Sequence, residues 1–215
     1  MWIKICGITD PATIGAIGAL GPDAVGFNFF RGSKRCIDIP TAATVARLLP
    51  AGIEPVGVFV NHSLEEVRET CAATRITTVQ LHGDEPPEFA ASLTGLRVIR
   101  VYRTGAAGIA EVEDDIATCR RLGLEPRACL VEPAVAGQYG GSGAVAPWHV
   151  IASGWKRETW PPLLLAGGLT PDNVWEAVRT VQPWGVDVAS GVESRPGIKD
   201  PGKVGQFIRA ARGGS

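Results

Sequence analysis

Trp2-Ile3-Lys4-Ile5-Cys6-Gly7-Ile8-Thr9 opens the chain with a short apolar run that breaks into a thiol and a glycine turn. A run of about five residues is a typical strand length. Asp10-Pro11, directly after the break, is a cap residue with proline placed to start a helix. The cycle recurs along all 215 residues. Strands are expected at 2–6, 24–29, 55–60, 77–81, 97–102, 128–132, 162–166 and 185–189. Most are apolar at successive positions, as strands covered on both faces are. Helical spacing fills the intervals, as with Leu64, Val67 and Cys71 in 63–74, or Val174, Ala177, Val178 and Val181 in 171–182. Ser63 with Glu66, and Thr170-Pro171, mark two further starts. The segment 144–154 reads least well as a helix, because Pro147 and Gly154 lie close by.

Strict strand–helix alternation implies parallel strands joined by right-handed crossovers. Eight repeats fit a closed (β/α)8 TIM barrel of eight parallel strands, at the compact end of that fold's size range. No linker or composition break divides the chain, so residues 1–215 are expected to form one domain. A doubly wound open sheet is the rival, but no GxGxxG follows the first strand.

Apolar residues make up 45% of the chain and charged residues 20%, with a net charge of -1. That balance fills a core and exerts no pull toward nucleic acid or an anionic membrane. No apolar stretch is long enough to suggest a membrane span. Lys4 interrupts the first apolar run and no small-residue cleavage site follows, so no signal peptide is expected. Cysteines at 6, 36, 71, 119 and 129 form an odd set without CxxC spacing. They argue against zinc, a redox motif or a disulfide framework, and fit a reducing cytoplasm.

Active-site groups of a barrel sit at the carboxyl ends of its strands. The first strand ends in Cys6, either a small buried hydrophobe or a chemical group before a glycine loop. The other four cysteines read as structural. Phe29-Phe30-Arg31-Gly32-Ser33-Lys34-Arg35 follows strand two, where an arginine could grip a carboxylate with two parallel hydrogen bonds. Asn61-His62 after strand three could simply cap a helix. Strand four ends in His82, followed by Gly83-Asp84-Glu85, where the acids could equally favour a helix start. Strand six ends in Glu132, ahead of Gly137-Gln138-Tyr139-Gly140-Gly141-Ser142-Gly143. Strand seven ends in Gly167-Gly168, and strand eight carries Asp187 and Ser190-Gly191. Three glycine-rich turns ahead of helices offer backbone N–H groups to a phosphate. Cys6 and Glu132 have the composition of a general base and a general acid. With no metal cluster or nucleotide motif in the sequence, the pattern reads as cofactor-free proton transfer on a sugar phosphate.

KICGIT at 4–9, GFNFFRGSKR at 26–35, VGVFVN at 56–61, VQLHGDE at 79–85, YGGSG at 139–143, AGGLTPDNV at 166–174 and GVDVASGVESRPGIKD at 185–200 resemble the phosphoribosylanthranilate isomerase family. The resemblance runs from residue 4 to residue 200. It implies a (β/α)8 barrel of tryptophan biosynthesis, catalysing a cofactor-free Amadori rearrangement of N-(5-phosphoribosyl)anthranilate. The partner it implies is that small phosphosugar, and the chain itself is expected as a monomer or homodimer. By the same resemblance Cys6 is the base and Glu132 stands where the family has an acidic aspartate. Arg35 is placed to meet the anthranilate carboxylate, with His82 and Asp187 near the substrate. Phosphate would lie among Gly141, Ser142, Gly143, Gly167, Gly168, Ser190 and Gly191.

Departures from the pattern are Glu132 for Asp, Pro147-Trp148 for Asp-Trp, Ala144 for Lys and Lys34 for Pro. The longer Glu132 preserves acid strength but shifts its position, and about 1 Å can cost on the order of 100-fold in rate. A free thiol titrates near 8.5, so a Cys6 base requires surroundings that favour its thiolate. Another phosphosugar isomerase or epimerase, or a non-catalytic phosphosugar-binding barrel, are the other readings open to these residues. The same glycines permit the loop 135–146 to close as a lid.

Overall fold

A computed structural model describes residues 1–104, 110–134 and 146–214. The strands are β1 (Trp2–Cys6), β2 (Ala24–Asn28), β3 (Glu54–Phe59), β4 (Thr78–Leu81), β5 (Arg97–Thr104), β6 (Ala128–Pro133), β7 (Leu163–Leu165) and β8 (Gly185–Val188). They pair in parallel in chain order, and β8 returns to β1 to close the barrel. Helices α1 (Pro11–Ala19), α2 (Ile39–Leu48), α3 (Leu64–Thr74), α4 (Pro87–Ser92), α5 (Ala110–Arg121), α6 (Trp148–Gly154), α7 (Val174–Val181) and α8 (Pro201–Ala211) follow the strands in turn. The closed order rules out the doubly wound sheet. No helix among the described residues is long and apolar enough to cross a membrane.

Period-two alternation decides what each strand residue faces. In β1, Ile3 and Ile5 pack outward into the layer shared with the helices, beside Ile14, Ile17 and Phe207. Trp2, Lys4 and Cys6 therefore point inward. The interior is filled by Ala24, Val56, Ile99, Ala128, Leu130, Leu164 and Ala166, with Trp2 and Val101 against them. Full burial of each larger aliphatic chain contributes about 1.5–3 kcal/mol. Both faces are covered, which is why these strands read as continuous apolar runs.

The helix starts show the local chemistry that the sequence announces. Asp10 accepts from Ala12 N at 2.8 Å. Ser63 Oγ accepts from Glu66 N while Glu66 accepts from Ser63 N, a complete capping box, of a kind that contributes about 1 kcal/mol. Two helices begin later than expected. The side chain of Asn173 accepts from Thr170 N and donates to Gly168 O, folding 171–173 into a turn, so α7 starts at Val174. Helix α6 occupies only Trp148–Gly154 of the expected 144–154, with Pro147 at its cap position.

One element has no counterpart in the sequence reading. After β8, a 3-10 turn (Ser190–Val192) leads into the antiparallel pair β9 (Glu193–Arg195) and β10 (Ile198–Lys199). Strands of three and two residues leave no recognisable apolar run. This hairpin sets Glu193 and Lys199 beside the mouth of the barrel.

Candidate active site

The carboxyl ends of the strands surround a cavity of about 870 Å³. Cys6, Arg35, His82, Glu132, Asp187, Gly167, Gly168 and Ser190 all line it. Cys6 enters from β1 and Glu132 from β6, with β7 and β8 between them in the closed ring.

Cys6 sits in a crowded electrostatic setting. Burial holds its thiol above the ordinary range; Lys4 and Lys199 oppose that effect and Asp187 adds to it. The surroundings thus do not favour the thiolate outright, contrary to the requirement drawn from sequence, because desolvation of a buried sulfur outweighs the two cations. Lys4 Nζ lies 2.8 Å from Asp187 Oδ1, both side chains buried. Asp187 therefore reaches the cavity already paired.

On the far side, His82 Nε2 stands 2.8 Å from Glu132 Oε1, and His82 Nδ1 lies 2.7 Å from the amide nitrogen of Gln80. With the Gln80 amide turned this way, its nitrogen donates to Nδ1 and the ring hydrogen on Nε2 is directed at Glu132. Arg103 Nε lies 3.8 Å from the same carboxylate oxygen. Both ring nitrogens of His82 are engaged within the protein, and what the imidazole holds in place is Glu132.

Arg35 is gripped from behind. Its Nε and Nη2 donate to Glu193 Oε1 and Oε2 at 2.8 and 2.9 Å, and Lys199 Nζ donates to the same carboxylate at 2.7 Å. Burial pushes the Glu193 carboxyl upward, but these bonds outweigh it and hold the group below the usual carboxylate range. The guanidinium retains N–H groups on its other edge.

Gly167 and Gly168 adopt left-handed backbone, at φ +87° and +63°, a region that favours glycine. Gly191 does not line the cavity. A Cβ there would stand 1.9 Å from the carbonyl oxygen of Leu169, so packing of the loops after β7 and β8 requires the glycine. Gly141, Ser142 and Gly143 lie outside the described residues, as do Ala144 and nearly all of the loop 135–146.

Beyond the cavity, Glu85 ties the third and fourth loops together by accepting from Asn61 N and Gly83 N. His62 Nδ1 accepts from Val60 N. Cys71, Cys119 and Cys129 are buried, as a structural reading requires, and burial pushes the first two thiols up to about 11. Cys36 differs: it is exposed, in the loop after β2. Lys4, Glu193 and Lys199 are the site residues that sequence reasoning left unassigned. A lysine within an otherwise apolar, doubly covered strand was a legible signal for the first. Nothing local marks the other two.

Acid and base candidates around a concave mouth, at the carboxyl end of a closed (β/α)8 barrel, define a barrel enzyme of the proton-transfer kind. A family model described as N-(5'phosphoribosyl)anthranilate (PRA) isomerase matches residues 3–210, and the chain belongs to that family. It is 44% identical over 210 residues to the N-(5'-phosphoribosyl)anthranilate isomerase of Myxococcus xanthus, covering 98% of this chain and 95% of that one. The crystal structure of phosphoribosyl anthranilate isomerase from Thermotoga maritima superposes with a TM-score of 0.84 at 34% identity, covering 99% of each chain. A further solved isomerase, in complex with reduced 1-(o-carboxyphenylamino)-1-deoxyribulose 5-phosphate, gives 0.81 at 33% identity, again over 99% of each chain.

Proposed function

We propose that this cavity carries out the rearrangement for which the family is named, with Cys6 as general base and Glu132 as general acid. The protein is then an intramolecular aldose–ketose isomerase of tryptophan biosynthesis acting on N-(5-phosphoribosyl)anthranilate. Glu132, in its acid form, gives its proton to the ribose ring oxygen, and the ring opens to a Schiff base. Cys6, as thiolate, takes the proton from C2, and the enolamine tautomerises to the ketone of 1-(2-carboxyphenylamino)-1-deoxyribulose 5-phosphate. Arg35, steadied by Glu193, turns its outer N–H groups to the anthranilate carboxylate. Asp187 lies toward the pentose. Gly167, Gly168 and Ser190, together with Gly141, Ser142 and Gly143, hold the phosphate through backbone N–H groups. His82 serves the reaction by aiming Glu132. All five cysteines are free thiols, which suits a reducing cytoplasmic setting.

The observation that carries this reading is that Cys6 and Glu132, from strands separated by two others in the ring, border one cavity. The test follows the loss of fluorescence of phosphoribosylanthranilate. Cys6→Ser should lower kcat by about 10²–10⁴-fold and leave substrate affinity nearly unchanged, because the base acts in the transition state. Undiminished turnover would eliminate Cys6 as the base. Tight binding by the unaltered protein without conversion would favour a non-catalytic barrel.

A further inference from the structure

Lys4 is the one charged side chain of β1, and it has no exposed surface. Alternation sets it on the inward face, two residues before Cys6. It is the register partner of Asp187 across the seam that closes the barrel, and the two side chains meet at 2.8 Å. Gly26 of β2 bounds the same space. A Cβ there would stand 2.7 Å from Cys6 Sγ and 3.2 Å from Lys4 Cε. Lysine stem and thiol therefore share one gap, kept open by a residue without a side chain.

An ammonium buried this deeply has no water to offset its charge, and one carboxylate fixes its direction. We propose that the Lys4 ammonium, anchored by Asp187, is a positioning residue that supplies the counter-charge of the Cys6 thiolate, the three side chains acting as one unit. The proposal rests on the reading of Cys6 as base and adds what makes that base attainable. Removing the proton from a buried sulfur is unfavourable unless a cation stands close by. Among the influences on Cys6, Lys4 is the strongest that opposes burial. Burial also acts to discharge Lys4 itself, but Asp187 and Cys6 outweigh it, so the lysine stays charged through the range in which a thiol titrates. The other cations near the sulfur are Lys199, from β10, and Arg35, from the loop after β2. Both of those are bound to Glu193. Lys4 is held separately, by Asp187 alone among the carboxylates of the described residues.

The measurement is the pH dependence of Cys6 alkylation by iodoacetamide, read by peptide mass spectrometry so that exposed Cys36 does not mask it. In Lys4→Met the midpoint should rise by about one to three pH units, slowing alkylation at pH 7 about tenfold or more. The acid limb of the kcat profile should move the same way with KM little changed. Methionine leaves Asp187 buried without its cation, so Lys4→Met/Asp187→Asn removes both charges and keeps the shape. Its midpoint should fall between wild type and the single variant, and it decides the matter if the single variant does not fold. A midpoint in the double variant at or below that of wild type overturns the proposal. Cys6→Ser with full turnover would instead overturn the base reading, while the alkylation profile still judges Lys4.

Discussion

At the amino end of the barrel, Glu54 of β3 accepts from Arg127 at 2.6 Å and from Thr78, with Arg97 3.1 Å away. Arg127 also lies over the stacked rings of Trp2 and Trp184. At the carboxyl end, Glu193, Glu132 and Asp187 are paired just as fully, to Arg35 and Lys199, to His82, and to Lys4. Both ends thus give their buried carboxyls hydrogen-bonding partners, as burial demands. At the carboxyl end the pairs border a cavity of about 870 Å³, whereas at the amino end two indoles lie against the paired charges. Pairing fixes side chains in both places, and one set of pairs borders open space while the other is covered by aromatic rings.

The comparison can be broken or sharpened by substitution at each end. The largest effect is expected from Glu132→Gln, which keeps an oxygen for His82 and loses the transferable proton. Its kcat should fall by about 10²–10⁴-fold with KM and thermal stability little changed. Glu132→Asp should lie between, since retracting the carboxyl by one methylene shifts it by about 1 Å, at a cost on the order of 100-fold. A fluorescence-based turnover assay checks both, and full activity in Glu132→Gln would remove the acid from the scheme.

Releasing the guanidinium comes next. Glu193→Gln should raise KM by about tenfold, the equivalent of a charged hydrogen bond weakened by about 1.4 kcal/mol, with a smaller change in kcat. This carboxyl is depressed in the folded protein. It therefore contributes stability above its unfolded pKa of about 4.3, and that contribution is lost as pH falls through the lower folded value. Urea unfolding at a series of pH values should show a shallower decline below about pH 4 in the variant; equal slopes would contradict this.

The amino end should respond in stability alone. Glu54→Gln is expected to lower unfolding free energy by about 1–3 kcal/mol, leaving kcat and KM within about twofold. The smallest effect belongs to Trp184→Ala, which loses a stacked pair worth about 0.5–1.5 kcal/mol beyond its buried area and should lower the melting temperature by a few degrees. A fall in kcat in either variant would show that the two ends are not separable.

Much of this was readable before any coordinates. The eight strands fall within one or two residues of the expected spans, because both faces are covered and most of the strands read as continuous apolar runs. The capping box at Ser63 and Glu66 is legible because its partners are three residues apart. That Cys6, Arg35, His82, Glu132 and Asp187 border one cavity was legible because a barrel places whatever follows a strand on one rim. Gly191 shows what local sequence cannot convey: a Cβ there would meet the carbonyl oxygen of Leu169, a close approach of two loops that no local pattern announces.

By itself, then, the sequence determined the order of strands and helices, and with it the closed parallel barrel and the residues at its mouth. Those features depend on local periodicity and on topology, which the chain carries in its own spacing. Only the tertiary structure decided what those residues touch: that Lys4 meets Asp187 across 183 positions, that Arg35 meets Glu193 across 158, and that His82 aims Glu132. The first two pairings are set when the first strand closes on the eighth and a short hairpin folds over the rim, and the third when β4 and β6 take their places in the ring. No local pattern encodes a contact whose two halves become neighbours only through that closure.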